Sequence, residues 1–199
     1  MTSDFINVLA QAANAYQEGT KLPEGEIVVN ALLAAETHTK NEKINYNFSD
    51  LNGKWRLCFA TGTKKVRKKG GIILKAGRYM PKFLNIYLAF SENLEKSHRG
   101  EISNQVQLGS ILLKLTGFTK FLGKKNILAF DFLQMQLSFL NKIIFNKPIS
   151  SGKTSENSSE SFYEKPIAKL PFFVFFLITE NMIAARGKGG GLALWFKEN

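Results

Sequence analysis

From Leu51 onward the chain alternates apolar with polar or small residues, and before Leu51 it does not. Lys54-Trp55-Arg56-Leu57-Cys58-Phe59 has the two-residue period of a half-buried strand, broken by Thr61-Gly62-Thr63. The same period predicts strands over Lys82–Phe90, Glu101–Leu108, Ser110–Thr116 and Asn126–Gln134, and Gln134–Phe145 is expected as strand, with a helix as the other reading. Leu170–Ile178 is apolar on both faces, as in a strand covered on two sides. Glu180-Asn181 then makes a turn, and Met182–Ala185 and Gly190–Phe196 form a last hairpin around Arg186-Gly187-Lys188-Gly189. The first fifty residues have the helical period instead. Ser3 or Asp4 caps a helix whose Phe5, Leu9, Ala12 and Tyr16 share a face, and Gly19 stops it. Pro23 opens a second helix running to Thr37, with Glu24 and Glu26 at its positive end and Ile27, Ala31, Leu32 and Ala35 as its apolar face.

Many short strands separated by turn signals predict a closed barrel or a sandwich, and closure removes exposed edges. The expected organisation is a single domain over 1–199: an acidic helical segment, 1–48, packed on a β-barrel, 49–199. Residues 150–161 are rich in Ser, Lys, Glu and Gly with no large apolar side chain, and are expected to be a flexible loop within that barrel.

Charge divides the chain in the same way. Residues 1–50 carry seven acids and three bases, a net −4, and the rest carries +15 of the total +11. A basic body favours anionic lipid, acidic protein or nucleic acid. Its densest run, Lys64, Lys65, Arg67, Lys68 and Lys69, reads either as a solvated loop or as a contact with an anionic membrane surface, where each base would contribute about 1 kcal/mol. Nucleic acid is not expected, because the aromatic residues that would stack on bases lie outside that run.

Two segments resemble the plastid lipid-associated protein (fibrillin) family. Asp50-Leu51-Asn52-Gly53-Lys54-Trp55-Arg56-Leu57-Cys58-Phe59-Ala60-Thr61 is similar to the family's opening strand. Ile178-Thr179-Glu180-Asn181-Met182 through Arg186-Gly187-Lys188-Gly189-Gly190-Gly191 to Trp195 is similar to its closing hairpin. Residues 64–165 carry no family motif. The resemblance implies a lipocalin-like antiparallel β-barrel preceded by N-terminal α-helices, in a cyanobacterial-type member near thylakoid membranes or lipid bodies (plastoglobules). It also implies a hydrophobic ligand: a fatty acid, a prenyl-lipid or a carotenoid. Gly53-x-Trp55 has the spacing that opens lipocalin barrels, and the resemblance assigns Trp55 and Arg186 as a barrel-closing pair, the guanidinium stacked on the indole.

Eleven of the 17 Phe lie between Phe118 and Phe176. They serve either core packing or an apolar pocket, and Phe59, Phe130, Phe132, Phe173 and Phe175 are the candidate lining. No catalytic set is expected. His38 and His98 stand in polar surroundings, Asp131 between two Phe is expected to face solvent, and Gly187-x-Gly189-Gly190-Gly191 precedes no helix and reads as a hairpin turn. One cysteine, Cys58, allows no internal disulfide, and no metal or cofactor is expected. Met1–Asp4 has no signal- or transit-peptide character, so the expected location is cytoplasmic or peripheral to a cyanobacterial thylakoid, or the chain is a processed form. The longest apolar run, Leu170–Ile178, has nine residues, about half of what spans a bilayer.

The leading expectation is therefore a non-enzymatic binder of a hydrophobic small molecule. The alternative is a protein–protein assembly factor with a filled barrel that docks an acidic partner. A lipocalin-type bilin lyase is disfavoured, because no acid–histidine–cysteine set is visible.

Overall fold

The computed structural model describes residues 2–66, 71–149 and 159–198. Two helices open the chain, α1 (Thr2–Glu18) and α2 (Gly25–Asn41). Gly19 ends the first with φ 77°, a conformation that costs glycine nothing. Leu9, Ala12, Ala13 and Tyr16 of α1 and Val28, Ala31, Leu32 and Ala35 of α2 are buried together, one stripe per helix.

Ten strands follow: β1 (Gly53–Val66), β2 (Gly71–Tyr79), β3 (Leu84–Glu92), β4 (Arg99–Leu108), β5 (Ile111–Leu122), β6 (Ile127–Phe139), β7 (Lys142–Pro148), β8 (Phe172–Ile178), β9 (Met182–Gly187) and β10 (Leu192–Lys197). A short helix, α3 (Ser159–Glu164), precedes β8. Eight strands close an antiparallel barrel in the order β1-β3-β4-β5-β6-β8-β9-β10, and β10 pairs back onto β1. The other two stand outside this circuit. β2 pairs with the outer half of β1, and β7 with the outer half of β6.

The barrel separates two apolar layers. Inside it lie Trp55, Phe90, Ile102, Phe121, Phe130, Phe175 and Trp195. Outside it, Cys58, Phe176, Leu177, Ala184, Leu194 and Phe196 meet the helix pair. Two β-bulges set this division. The β1–β10 register slips between Leu57 and Phe59, so Cys58 and Phe59 both turn outward. The β8–β9 register slips between Phe175 and Leu177, so Phe176 and Leu177 do the same. Strict alternation would have sent one residue of each pair into the interior. The helices are tied down by polar contacts as well: the Tyr79 hydroxyl donates to the Pro23 carbonyl at 3.0 Å, and Arg186 Nε donates to Glu36 of α2 at 2.6 Å. On the opposite wall Phe162 and Leu170 pack over Ala129, and the Lys120 ammonium donates to the carbonyls of Phe162 and Tyr163 at the end of α3.

Several expectations are corrected here. Residues 71–79 form β2, whose Gly-rich basic lead had no strand pattern. Gln134–Phe145 is strand as expected, but it is divided between the end of β6 and the start of β7 by a tight turn at Leu140 and Asn141 with φ 47° and 63°. Of the expected loop at 150–161, residues 150–158 lie outside the described residues, and Ser159–Ser161 belong to α3.

Candidate ligand-binding site

One end of the barrel is shut. A 3-10 turn at Phe48–Leu51, capped at its N-terminal end by a reciprocal box of Asn47 and Asp50, inserts Phe48 and Leu51 into the interior. Trp55 lies fully buried beside them, and its indole N–H donates to the Leu51 carbonyl at 2.7 Å. Above this plug the aromatic rings form a floor. Phe130 stacks on Phe173 at 5.1 Å and lies 5.3 Å from Phe132; Phe173 meets Trp195 edge-on at 5.8 Å, and Phe175 meets Phe90 edge-on at 6.0 Å. Each such pair adds about 0.5–1.5 kcal/mol beyond its area. Thr119 is a polar member of this interior: fully buried, with a hydroxyl that has no hydrogen-bond partner among the described residues.

Towards the other end the walls differ in height. β5 and β6 have 12 and 13 residues, about 40 Å at roughly 3.3 Å per residue. β9 and β10 have six each, about 20 Å. The upper parts of β3–β7 therefore stand free of the short wall. Their two faces differ. Cross-strand register puts Ile86, Val106, Leu113, Leu115, Met135 and Leu137 on the continuation of the inner face. It puts Asn85, Ser103, Gln105, Lys114, Gln134 and Gln136 on the outer face. The six inner residues are only half-buried, and none joins a buried core cluster. The trough is thus this half-buried, mainly apolar inner wall above the Phe floor, with Asn104 among its side chains.

The rim of the trough is apolar too. Phe83 is 70% exposed and Leu140 62%, and Leu108, Ile111, Phe139, Ile143 and Ile144 are exposed beside them. Such a cluster exceeds what a water-facing turn requires. Segments 79–91, 103–117 and 132–149, which build this end, contain four lysines (Lys82, Lys114, Lys142, Lys147) and no acid.

Of the five predicted lining residues, Phe130, Phe132, Phe173 and Phe175 come together in the interior. Phe59 does not. The bulge after Leu57 turns it outward, where it packs on α2 and on Tyr79, 5.0 Å between ring centres. The expected stack of Arg186 on Trp55 is also not formed. Arg186 alternates with the inward Ile183 and Ala185 side, faces α2, and binds Glu36 and the Gly190 carbonyl. That ion pair raises the guanidinium's pKa. The cation over Trp55 is Lys197, 5.4 Å from the ring at the shut end. Asp131 faces outward and pairs with Lys165 at 3.5 Å. Lys64 and Lys65 lie on β1 beyond the barrel, paired with Ile73 and Ile72, and Arg67, Lys68 and Lys69 lie outside the described residues. The trough residues escaped the sequence reading because it weighted Phe. The signal was the polar–apolar alternation in Leu113-Lys114-Leu115-Thr116 and Met135-Gln136-Leu137-Ser138.

Comparisons with protein-family models, curated proteins and solved structures gave no match. Among the described residues no helix is long and apolar enough to cross a membrane.

Proposed function

We propose that this protein is a non-enzymatic binder of a hydrophobic small molecule, taken up in the trough from a membrane surface. The observation that carries the reading is the uncovered apolar inner face of β3–β7, continuous with an aromatic floor. Half-buried Leu113, Leu115 and Leu137 gain from a ligand the burial that the fold does not give them, at about 25 cal/mol per Å² of area covered. The buried Thr119 hydroxyl, without a hydrogen-bond partner among the described residues, would orient a polar ligand end that reaches the floor. The apolar, lysine-flanked rim favours contact with an anionic bilayer, so that the ligand leaves lipid without crossing water. A fatty acid, a prenyl-lipid and a carotenoid all suit an elongated apolar trough, and the family resemblance adds the thylakoid or lipid-body surface as the place.

Solvent extraction of the purified protein, followed by uptake of added fatty acid or carotenoid, tests this. A stoichiometric lipid or pigment supports it. A clean extract with no uptake would favour the assembly-factor reading, to which the plugged lower half of the barrel and the basic body also lend themselves. Flotation with vesicles should depend on anionic lipid and fall with salt.

A further inference from the structure

A second cavity, of about 550 Å³, lies near the shut end between the end of α2, the 43–46 segment, the 3-10 turn Gly123–Lys125 and β8. Lys40, Lys43, Lys124 and Lys125 line it, over an apolar base of Ile44, Val174 and Phe176. The four lysines come from two separate parts of the chain, all are exposed, and none is in an ion pair among the described residues. The acid at the cavity wall, Glu36, is already held by Arg186. Lys40 also complements the carbonyl end of α2, but Lys124 and Lys125 belong to no such helix.

The backbone is built to hold this arrangement. Asn126 is buried, and its side chain bridges both segments, accepting from the Tyr46 N–H at 3.0 Å and donating to the Ile44 carbonyl at 2.7 Å. Both Asn126 (φ 51°) and Lys43 (φ 53°) are left-handed. A lysine stands at the position after α2 where glycine is the favoured residue, so the charge is kept there at a conformational cost.

We infer that this cavity binds a phosphate group carrying an apolar substituent, the phosphate among the four lysines and the substituent against Ile44, Val174 and Phe176. The site is separate from the trough and does not depend on the trough's function. The test is amide NMR on the full chain, following Asn126 and Ile44, with inorganic phosphate, with monomeric lysophosphatidate, and with phosphatidylcholine vesicles with and without phosphatidate. Saturable lysophosphatidate shifts are expected at these residues, at least about tenfold tighter than those with inorganic phosphate, since burial of a few methylenes supplies that factor. Lys124→Gln/Lys125→Gln should weaken them about tenfold. Lys21→Gln/Lys169→Gln, an equal change of charge elsewhere, should not. The Leu113→Gln/Leu137→Gln variant should keep the shifts, which separates this site from ligand entering the trough. Loss of phosphatidate-vesicle binding in Lys124→Gln/Lys125→Gln supports the site with a bilayer headgroup as its source. Unchanged vesicle binding with weakened monomer binding supports it with a free amphiphile as source. Absence of saturable shifts, equal weakening in both lysine variants, or inorganic phosphate binding as tightly as lysophosphatidate would overturn the inference.

Discussion

Leu113 and Leu137 face each other across β5 and β6 on the wall of the trough. Replacing both with Gln keeps their approximate volume and removes the apolar surface. Full burial of a Leu side chain contributes about 1.5–3 kcal/mol, and these two are half-exposed in the free protein. The fold therefore loses about 1 kcal/mol or less at each. A ligand lying between them loses the remaining share, roughly 1 kcal/mol at each, so about 2 kcal/mol together or about 30-fold in affinity. Phe130→Ala is the contrast: this ring is buried in the aromatic floor, and its removal should cost about 3–5 kcal/mol of stability. Displacement titration of a fluorescent fatty acid measures the first quantity, and urea unfolding the second. If the Gln pair lowers stability as much as Phe130→Ala, these side chains are part of a filled core. If it leaves uptake at the wild-type level, the ligand lies elsewhere. Either result refutes the argument from half-burial.

Gly77→Ala should destabilise the fold by about 1–3 kcal/mol in urea, because a Cβ there would sit 2.0 Å from the Phe59 ring and 2.8 Å from Val29 Cγ2. Arg186→Ala should cost about 1–3 kcal/mol by unpairing Glu36 and the Gly190 carbonyl, and Arg186→Lys should restore only part of it, read as urea midpoints. Burial pushes the Cys58 thiol up to about 12. The unfolded chain therefore ionises first: this group's contribution is whole below about pH 8.5 and falls as pH rises towards 12. The slope of stability against pH in that window should be shallower in Cys58→Ala, and thiol labelling at pH 8 should follow unfolding rather than precede it.

The sequence reading found the mainly β barrel and the two N-terminal helices because period and burial coincide in them. Leu9, Ala12 and Tyr16 repeat every three or four residues and are buried together, and Leu84, Ile86, Leu88 and Phe90 repeat every two and share a face. It failed at Phe59, because a bulge adds one residue to a face and no local pattern announces it. It failed at β2, because Gly71–Tyr79 is paired only along one edge and its stability comes from β1. Arg186 was assigned to Trp55 by analogy with other barrels. Here the shut end already has Lys197, and Glu36 on α2 supplies a carboxylate on the opposite face of the sheet. Four of the five Phe lie inside the barrel, but the half-buried surface lies among aliphatic residues above them. Exposure is a property of wall height, which depends on how many residues each strand keeps before its turn.

Methyl NMR with a spin-labelled fatty acid tests the trough most directly. With the label near the chain's end, the methyl groups of Leu113, Leu115, Val106 and Leu137 should broaden in a saturable way that unlabelled fatty acid reverses, while those of Leu9 and Leu32 between the helices and the barrel stay sharp. Uniform broadening across the surface, or none at the β4–β6 methyls, would contradict the account.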